Sequence, residues 1–306
     1  MSVNARIATM TLLVFVEDPQ LVPWVRERAQ RLARRHASRV VLLNAGLAQS
    51  HPQQTDGAEW TEVGVQGASA ENIHVLASRL LPPAVPRILL WAAPQTASDE
   101  RFVRLAPEMR TTLLDSSRAR DDDAALRDLV AFCGENCGAE SIHDLAYLRL
   151  APWQEVVADF FDERAFVEDL FDLRRVTIAS GSDAEGYYLL GWLASRLSWT
   201  PDGNRTFRQK RRARGIAYAI VREGQPRRVK RITLESGTTR FQAQLCDTDA
   251  VSLEVSGTKQ RPPRVAPLHG VDVASLIERA ILHEQRDPVF RESLDVAGHL
   301  LAADGG

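Results

Sequence analysis

The most reactive side chains, by type and spacing, are two cysteines and a histidine. Cys133 and Cys137 would lie on one side of a helix end, and His143 follows six residues later. Thiolate and imidazole are zinc ligands, but zinc sites usually show tighter, repeated pairs, and no fourth ligand is evident. We therefore predict no metal site and interpret the cysteines as small buried thiols. A metal or a regulatory disulfide is the alternative.

A second polar group could bind a small molecule. Asp115, Ser116 and Ser117 directly follow the apolar segment Thr111–Leu114, which predicts a buried strand. Open α/β folds bind ligands at the carboxyl ends of their parallel strands, so these residues are a candidate vestigial ligand site. The same residue types also form turns and helix caps, and no base accompanies them.

Residues 205–231 hold eleven Lys and Arg against one acid, a net charge of +10. The whole chain carries −2, so the remainder sums to −12. Clustered cations could contact nucleic acid, an acidic protein or an anionic metabolite. Few aromatic residues interleave with them, which disfavours nucleic acid. A solvated basic loop is the alternative. The candidate partner contacts in this stretch are Arg208, Lys210, Arg211, Arg212 and Arg214.

Tryptophan is enriched in binding hot spots, and Trp153 and Trp192 lie near the junction of the two halves of the chain. We include both in the candidate partner interface. The helical spacing of Leu189, Trp192 and Leu193 favours packing in a core as the alternative.

Signatures of catalysis are missing from the sequence. It contains no glycine-rich dinucleotide motif, no P-loop, no nucleophile elbow and no zinc-protease motif. The first turn after a strand is Glu17-Asp18-Pro19, which is acidic and would repel a phosphate. We therefore expect no catalytic residues and no cofactor.

Strands and helices, which must position these residues, alternate in the first half of the chain. Apolar runs at residues 7–16, 39–44, 87–93 and 111–114 predict strands, residues 60–65 predict a weaker one, and residues 51–57 predict a polar loop. Amphipathic segments between them predict helices, one capped by Ser69. We expect residues 1–143 to form an α/β, Rossmann-like domain with a mostly parallel sheet flanked by helices.

The second half, residues 144–306, predicts an α+β domain. Helical patterns give way to alternating residues such as Ile216, Tyr218 and Ile220, with turn signals that imply four consecutive strands in an antiparallel meander. A proline-rich loop at residues 261–267 then leads into two closing helices at 271–283 and 287–301.

Length and composition agree with this two-domain organisation. The 306 residues suggest two domains, and 44% hydrophobic with 25% charged residues is typical of globular proteins. Three cysteines indicate a reducing, cytoplasmic compartment. No apolar run approaches the roughly 20 residues of a membrane span, so no membrane association is expected. The run at residues 7–16 has the length of a signal-peptide core, but Glu17 and Asp18 follow it, and we predict a strand.

Two tryptophan-containing segments resemble a known family. They are Tyr147-Leu-Arg-Leu-Ala-Pro-Trp153, continuing to Asp162, and Leu190-Gly-Trp-Leu-Ala-Ser-Arg-Leu-Ser-Trp199. Supporting matches are Arg35 to Leu43, Thr112-Leu-Leu-Asp-Ser116 and Asp287-Pro-Val-Phe-Arg-Glu-Ser-Leu294. Together these segments resemble the glucose-6-phosphate dehydrogenase assembly protein OpcA family.

The resemblance implies a non-catalytic partner that promotes assembly or activation of oligomeric glucose-6-phosphate dehydrogenase, in support of the oxidative pentose phosphate pathway. It supplies no catalytic residues. Members of the family in photosynthetic bacteria look redox-responsive through cysteines, but Cys133, Cys137 and Cys246 cannot be aligned with those cysteines. The alternative function is an enzyme or sensor that binds a sugar phosphate or nucleotide near Asp115, Ser116 and Ser117. A nucleic-acid-binding protein using the basic loop is the third possibility.

Overall fold

The computed structural model describes residues 9–36, 38–47, 51–55, 58–65, 72–82, 84–93, 97–119, 121–135, 142–209, 212–224, 228–247, 249–268, 272–282 and 287–304. The chain forms two compact units. Unit 1 comprises Met1–Asp121, Ala131–Leu145 and Asp272–Arg286. Unit 2 comprises Asp122–Val130, Ala146–Val271 and Asp287–Gly306.

Unit 1 is built on a seven-stranded sheet in the order β3-β4-β2-β1-β5-β6-β7. Its strands are β1 (Met10–Val16), β2 (Ser38–Asn44), β3 (His51–Thr55), β4 (Ala58–Gly64), β5 (Arg87–Ala92), β6 (Thr111–Leu114) and β7 (Ile142–Asp144). Every pairing is parallel except that of the edge strand β3 with β4. The predicted α/β class with a mostly parallel sheet is confirmed.

Helices flank this sheet. They are α1 (Val22–Arg35), α2 (Ile73–Leu80), α3 (Glu100–Leu105), α4 (Asp122–Glu135), whose first nine residues belong to unit 2, and α9 (Val273–Leu282). β1 is buried along its whole length, as its unbroken apolar run predicts for a strand covered on both faces. Asp18 follows it and accepts a hydrogen bond from the Gln20 backbone N–H at 2.9 Å, which caps the short helical turn ahead of α1.

One prediction for this unit is wrong. Residues 51–57 were expected to form a polar loop, but His51–Thr55 is a strand that pairs antiparallel with β4. The sequence of this strand, His-Pro-Gln-Gln-Thr, has no apolar alternation. An edge strand can form from backbone hydrogen bonds alone, and hydrophobic periodicity then gives no signal. Ser69, the expected helix cap, lies outside the described residues.

Unit 2 contains an eight-stranded mixed sheet in the order β15-β14-β13-β12-β8-β11-β10-β9. Its strands are β8 (Arg175–Ser180), β9 (Trp199–Pro201), β10 (Thr206–Gln209), β11 (Arg212–Arg222), β12 (Val229–Glu235), β13 (Thr239–Asp247), β14 (Ala250–Gly257) and β15 (Arg261–Pro267). Its further helices are α5 (Leu145–Leu148, which begins at the last residue of unit 1), α6 (Ala151–Asp159), α7 (Val167–Leu170), α8 (Asp183–Leu197) and α10 (Pro288–Asp304).

The predicted antiparallel meander is present, but it begins one strand later than expected. It runs from β12 to β15, whereas β11 pairs parallel with β8, which separates it from β12. Residues 261–267, expected as a loop, form β15. Its prolines are tolerated because it is an edge strand, where backbone N–H groups can face solvent.

One face of this sheet carries the core of unit 2. The Phe241 ring on β13 lies 5.6, 4.9 and 5.5 Å from the rings of Phe160, Phe161 and Phe166. On β11, Ile220 contacts α8 at Gly186, where an added Cβ would lie 2.8 Å from the Ile220 Cγ2. The large apolar side chains of the sheet are therefore buried against helices on this face.

Candidate partner-binding site

The first turn after β1 has the wrong chemistry for a phosphate. Arg101 binds the carboxylates of Asp99 and Glu17, the latter at 3.0 Å, and lies 4.8 Å from the Phe15 ring centroid. The hydrogen bond to Asp99, opposed by burial and reinforced by Glu17, raises the pKa of Arg101. The turn is therefore an internal ion-pair network and not a cradle of backbone N–H groups.

Proline fills the remaining space at this turn. A Cβ on Gly46 would lie 2.2 Å from the Pro19 Cγ, so the loop after β2 lies directly against the proline ring. A Rossmann dinucleotide site needs glycines here, so that the backbone can approach the pyrophosphate. The residues present do not fit a bound dinucleotide.

The predicted ligand residues form a tight turn at the carboxyl end of β6. The Ser117 hydroxyl donates to the Asp115 Oδ1 at 2.6 Å, and the Ser116 backbone N–H donates to the buried Asp144 Oδ1 at 3.1 Å. Ser116 and Ser117 are both buried. The bond to Asp144 joins the ends of β6 and β7. A ligand-binding role for these residues remains a prediction.

Several cations of the basic stretch are paired with carboxylates of unit 2. Arg205 lies 3.4 Å from Asp304, Arg208 is ion-paired with Asp202, and Lys230 donates to Glu223 at 2.7 Å. Lys210 and Arg211 lie outside the described residues, as do the side chains of Arg212 and Arg214 on β11. Arg208 is exposed, and its proposed role in partner contact remains a prediction.

Three of the five segments that carry the family resemblance meet inside unit 2, namely residues 147–162, 190–199 and 287–294. The Tyr147 ring, just before α6, lies 5.5 Å from Tyr188 on α8 and 5.1 Å from Phe290 on α10. Helices α8 and α10 touch at Gly191, where a Cβ would lie 2.2 Å from the Ser293 carbonyl oxygen. We call Tyr147, Tyr188, Gly191, Phe290 and Ser293 the motif cluster.

The phenol of Tyr147 is kept neutral within the motif cluster. Burial, followed by the negative charge of Asp287, raises the pKa of Tyr147 to about 12, although hydrogen bonds with Ser293 and Gln154 oppose the shift. A phenol with this pKa does not act as a base near neutral pH. The motif cluster is therefore a packed scaffold that fixes the positions of three helices.

One end of the cluster reaches the surface. Trp192 on α8 is half-buried, Arg196 follows one turn later, and Glu292 on α10 forms an ion pair with Arg196. The side chains of Arg196 and Glu292 are 41% and 53% exposed. We call Trp192, Arg196 and Glu292 the surface patch. An aromatic ring beside an exposed Arg suits a protein contact. Trp153, the other predicted interface tryptophan, is buried in α6 at 4% exposure.

Two features of unit 2 could not be identified from the sequence patterns. The Asp304 carboxylate accepts hydrogen bonds from the Tyr187 and Tyr218 hydroxyls at 3.0 and 3.1 Å, and so ties the end of α10 to α8 and β11. Asp122 accepts from the Ser182 hydroxyl at 2.7 Å and from the Asp183 backbone N–H at 2.8 Å, which caps α8. Both sets of hydrogen bonds join residues far apart in sequence. The only signal for them in the sequence is the acidic residues at helix ends.

Among the described residues, one cluster of three aspartates has its carboxylate oxygens close enough together to hold a metal ion. Oxygens of Asp122, Asp123 and Asp183 lie within 4.8 Å of one another. The Arg222 Nη1 lies 2.9 Å from the Asp183 Oδ2 and 3.5 Å from the Asp122 Oδ1, so a guanidinium already compensates part of their charge. Cys133, from the predicted thiol pair, is buried as expected, and Cys137 lies outside the described residues.

No helix in the described ranges combines the length and apolarity needed to cross a bilayer.

Solved structures with similar folds are oxidoreductases. KijD10, a 3-ketoreductase from Actinomadura kijaniata, matches with a TM-score of 0.57 and 13% identity over 97% of both chains. An oxidoreductase from Sinorhizobium meliloti matches with a TM-score of 0.54 and 14% identity, covering 97% of this chain and 96% of its own. At such low identity these matches show the Rossmann-like fold alone.

Curated relatives are OpcA proteins of cyanobacteria. OpcA of Synechococcus elongatus is 29% identical over 253 residues, which cover 75% of this chain and 56% of the relative. OpcA of Synechocystis is 34% identical over 133 residues, which cover 43% of this chain and 27% of the relative. The matched part of this chain thus spans only a quarter to just over half of the length of these relatives.

Two domain families match the chain in order. Residues 29–131 match the N-terminal domain of the OpcA-type glucose-6-phosphate dehydrogenase subunit, and residues 140–294 match the C-terminal domain of the same protein. The second match contains every residue of the motif cluster and of the surface patch. The resemblance seen in the sequence is confirmed. The chain belongs to the OpcA family.

Proposed function

We propose that the chain is a non-catalytic factor that binds oligomeric glucose-6-phosphate dehydrogenase and promotes its assembly or activation. The family descriptions support this partner, because both matching domains are described as parts of a glucose-6-phosphate dehydrogenase subunit. The proposed role supports the oxidative pentose phosphate pathway in the cytoplasm, where the three cysteines of the chain would stay reduced.

The observation that carries the non-catalytic part of the proposal is the turn after β1. The fold resembles that of nucleotide-dependent oxidoreductases, yet Pro19 lies against Gly46 where the glycine-rich loop would be needed, and Glu17 is held there by Arg101. A hydride-transfer enzyme of this fold must bind its dinucleotide at that turn. The residues at this turn support the proposal that the chain does not catalyse hydride transfer.

The surface patch supports a role in protein binding. Trp192 offers a large apolar surface with few rotatable bonds, and the neighbouring ion pair between Arg196 and Glu292 could exchange partners at an interface. A factor activates an oligomer when it binds the active state more tightly than the inactive one, because the population then shifts by that difference in affinity.

The proposal is tested by mixing the purified chain with glucose-6-phosphate dehydrogenase from the same cell. We expect the two proteins to co-elute and the dehydrogenase to gain activity. Tight binding of a sugar phosphate or nucleotide that Ser117→Ala abolishes, without any effect on the dehydrogenase, would instead favour a ligand-binding enzyme or sensor.

A further inference from the structure

Strained backbone is concentrated at the end of α8 and in the turn between β9 and β10. Within the described ranges, the non-glycine residues with a positive φ are Ser198 at 54°, Asn204 at 47° and Arg205 at 55°. Side chains with a Cβ disfavour this left-handed region, although asparagine tolerates it better than arginine does. Gly203, with a φ of 74°, directly precedes the last two residues. We call residues 202–205, which join β9 to β10, the hairpin tip.

Hydrogen bonds hold the hairpin tip in one conformation. The Thr206 backbone N–H and hydroxyl both donate to the Gly203 carbonyl, at 3.0 and 2.7 Å. The Asp202 backbone N–H donates to the Thr206 carbonyl at 2.9 Å, and the Arg205 carbonyl accepts from the Tyr218 backbone N–H on β11 at 2.9 Å. Strained backbone persists only where its surroundings fix it, and such strain clusters at binding and catalytic sites. The conformation of the tip therefore points to a functional requirement.

The hairpin tip is attached to a rigid base. The Trp199 ring on β9 lies 5.6 Å from the Phe207 ring on β10, which lies 5.1 Å from the Tyr218 ring on β11. All three of these rings are buried. The Arg205 Nε lies 3.4 Å from the Asp304 carboxylate, which connects the tip to the end of α10. Packed aromatic rings and this ion pair therefore fix the tip to the sheet and to a helix.

The side chains at and beside the tip are exposed and mainly cationic. Asn204 is exposed, and the side chains of Arg205 and Arg208 are 59% and 69% exposed. Residues 205–214 contain six Lys and Arg and no acid. Ion pairs of such exposed guanidiniums contribute little to stability, so these cations can exchange their intramolecular carboxylates for those of another protein. Guanidinium groups bind carboxylates with two parallel hydrogen bonds, and the surface that fits the tip is therefore acidic.

We propose that the hairpin tip and Arg208 dock onto an acidic surface of glucose-6-phosphate dehydrogenase, an inference that rests on the proposed function. The strained turn sets Asn204 and Arg205 in their bound positions before the two proteins meet. A preorganised contact loses less conformational freedom on binding, which explains why a locally unfavourable backbone is retained. The contact extends the surface patch along the chain, because Ser198 follows Arg196 by two residues.

The test is the dissociation constant of the complex with the dehydrogenase, measured for variants whose folding is checked by urea unfolding. Arg205→Gly should raise this constant about tenfold, because it removes the guanidinium and frees the turn. Glycine accepts a positive φ, so the variant should stay folded. Arg205→Lys keeps the charge and should retain most of the affinity. The matched control is Arg164→Gly, which removes an exposed arginine with an ordinary φ from another turn of unit 2 and should leave the affinity unchanged.

Hydrogen exchange of the wild-type chain gives a second readout. Backbone N–H groups of the hairpin tip should exchange more slowly in the complex than in the free chain, and those around Arg164 should exchange equally in both. A wild-type chain that does not bind the dehydrogenase would overturn the proposed function and this inference with it. A complex that forms as tightly with Arg205→Gly as with the wild type, or that leaves exchange at the tip unchanged, would overturn this inference alone.

Discussion

Single side chains set the geometry of the motif cluster. Gly191 has no Cβ, and this lets the α10 backbone at Ser293 come within contact of α8. The aromatic rings of Tyr147, Tyr188 and Phe290 then close around that contact. The OpcA segments of the sequence therefore coincide with a packing requirement as well as with the surface patch.

Gly191→Ala should destabilise the folded chain by ~2 kcal/mol or more, because the new methyl would meet a backbone carbonyl that cannot move cheaply. The measurement is the free energy of unfolding in urea. Gly134→Ala is the matched control, since a Cβ there meets nothing within 4 Å. That change should be neutral or stabilise helix α4 by about 0.5–1 kcal/mol. Equal effects of the two changes would contradict the close contact.

Trp192→Ala should weaken binding to the dehydrogenase by about 2 kcal/mol, the loss typical of an interface tryptophan. The measurement is the dissociation constant of the complex. Trp24→Ala, which removes another half-buried helical tryptophan, should leave that constant unchanged. If Trp192→Ala bound as tightly as the wild type, the surface patch would not be the contact.

At the scale of elements, α10 is fastened at both ends. Phe290 packs near its start, and the Asp304 carboxylate accepts from Tyr187 and Tyr218 near its end. Burial and then the charge of Asp304 raise the pKa of both phenols. A phenol with a raised folded-state pKa contributes stability that is present below its unfolded pKa of about 10 and is lost as the pH rises through the folded pKa.

Stability should therefore fall as the pH rises above about 10. Tyrosinate absorbance of the folded chain should report fewer ionised tyrosines above pH ~10 than that of the unfolded chain. Asp304→Asn should lower the pKa of Tyr187 and Tyr218 and shift the titration to lower pH. Asp295→Asn, on the exposed side of α10, should leave it in place. Identical tyrosine titrations of the folded and unfolded chain would contradict the hydrogen bonds from Tyr187 and Tyr218 to Asp304.

The sequence predicted elements well where burial imposed a pattern. β1, β2 and β6 follow directly from apolar runs. Patterns failed where a strand has no apolar alternation in its sequence, as in the polar β3 and the proline-rich β15. The insertion of β8 between β11 and β12 is a long-range pairing, and no local signal encodes it.

At the scale of the whole molecule, nearby carboxylates balance part of the positive charge of residues 205–231. The net +10 of residues 205–231 includes Arg205, Arg208 and Lys230, each of which faces a carboxylate from unit 2. The sequence could show the charge of this stretch but not the partner of Arg205, because Asp304 lies about a hundred residues away. The proposed protein contact by this stretch stays a prediction.

Replacing Lys210, Arg211, Arg212 and Arg214 with Ser should slow association with the dehydrogenase about tenfold at low salt, because clustered charges steer encounter. The measurement is the association rate as a function of ionic strength. The wild-type rate should fall as salt rises, and the variant rate should stay nearly constant. If the association rates of both proteins depended equally on salt, these four residues would form a solvated surface and would not contact the dehydrogenase.

The central claim is that the chain activates glucose-6-phosphate dehydrogenase by favouring its active oligomer. The most direct measurement titrates the chain into a fixed amount of the enzyme while recording both activity and the mass of the complex. We predict that activity and oligomer mass rise together and saturate at the same ratio of the two proteins. An enzyme whose mass and rate stay unchanged at every ratio would contradict the account.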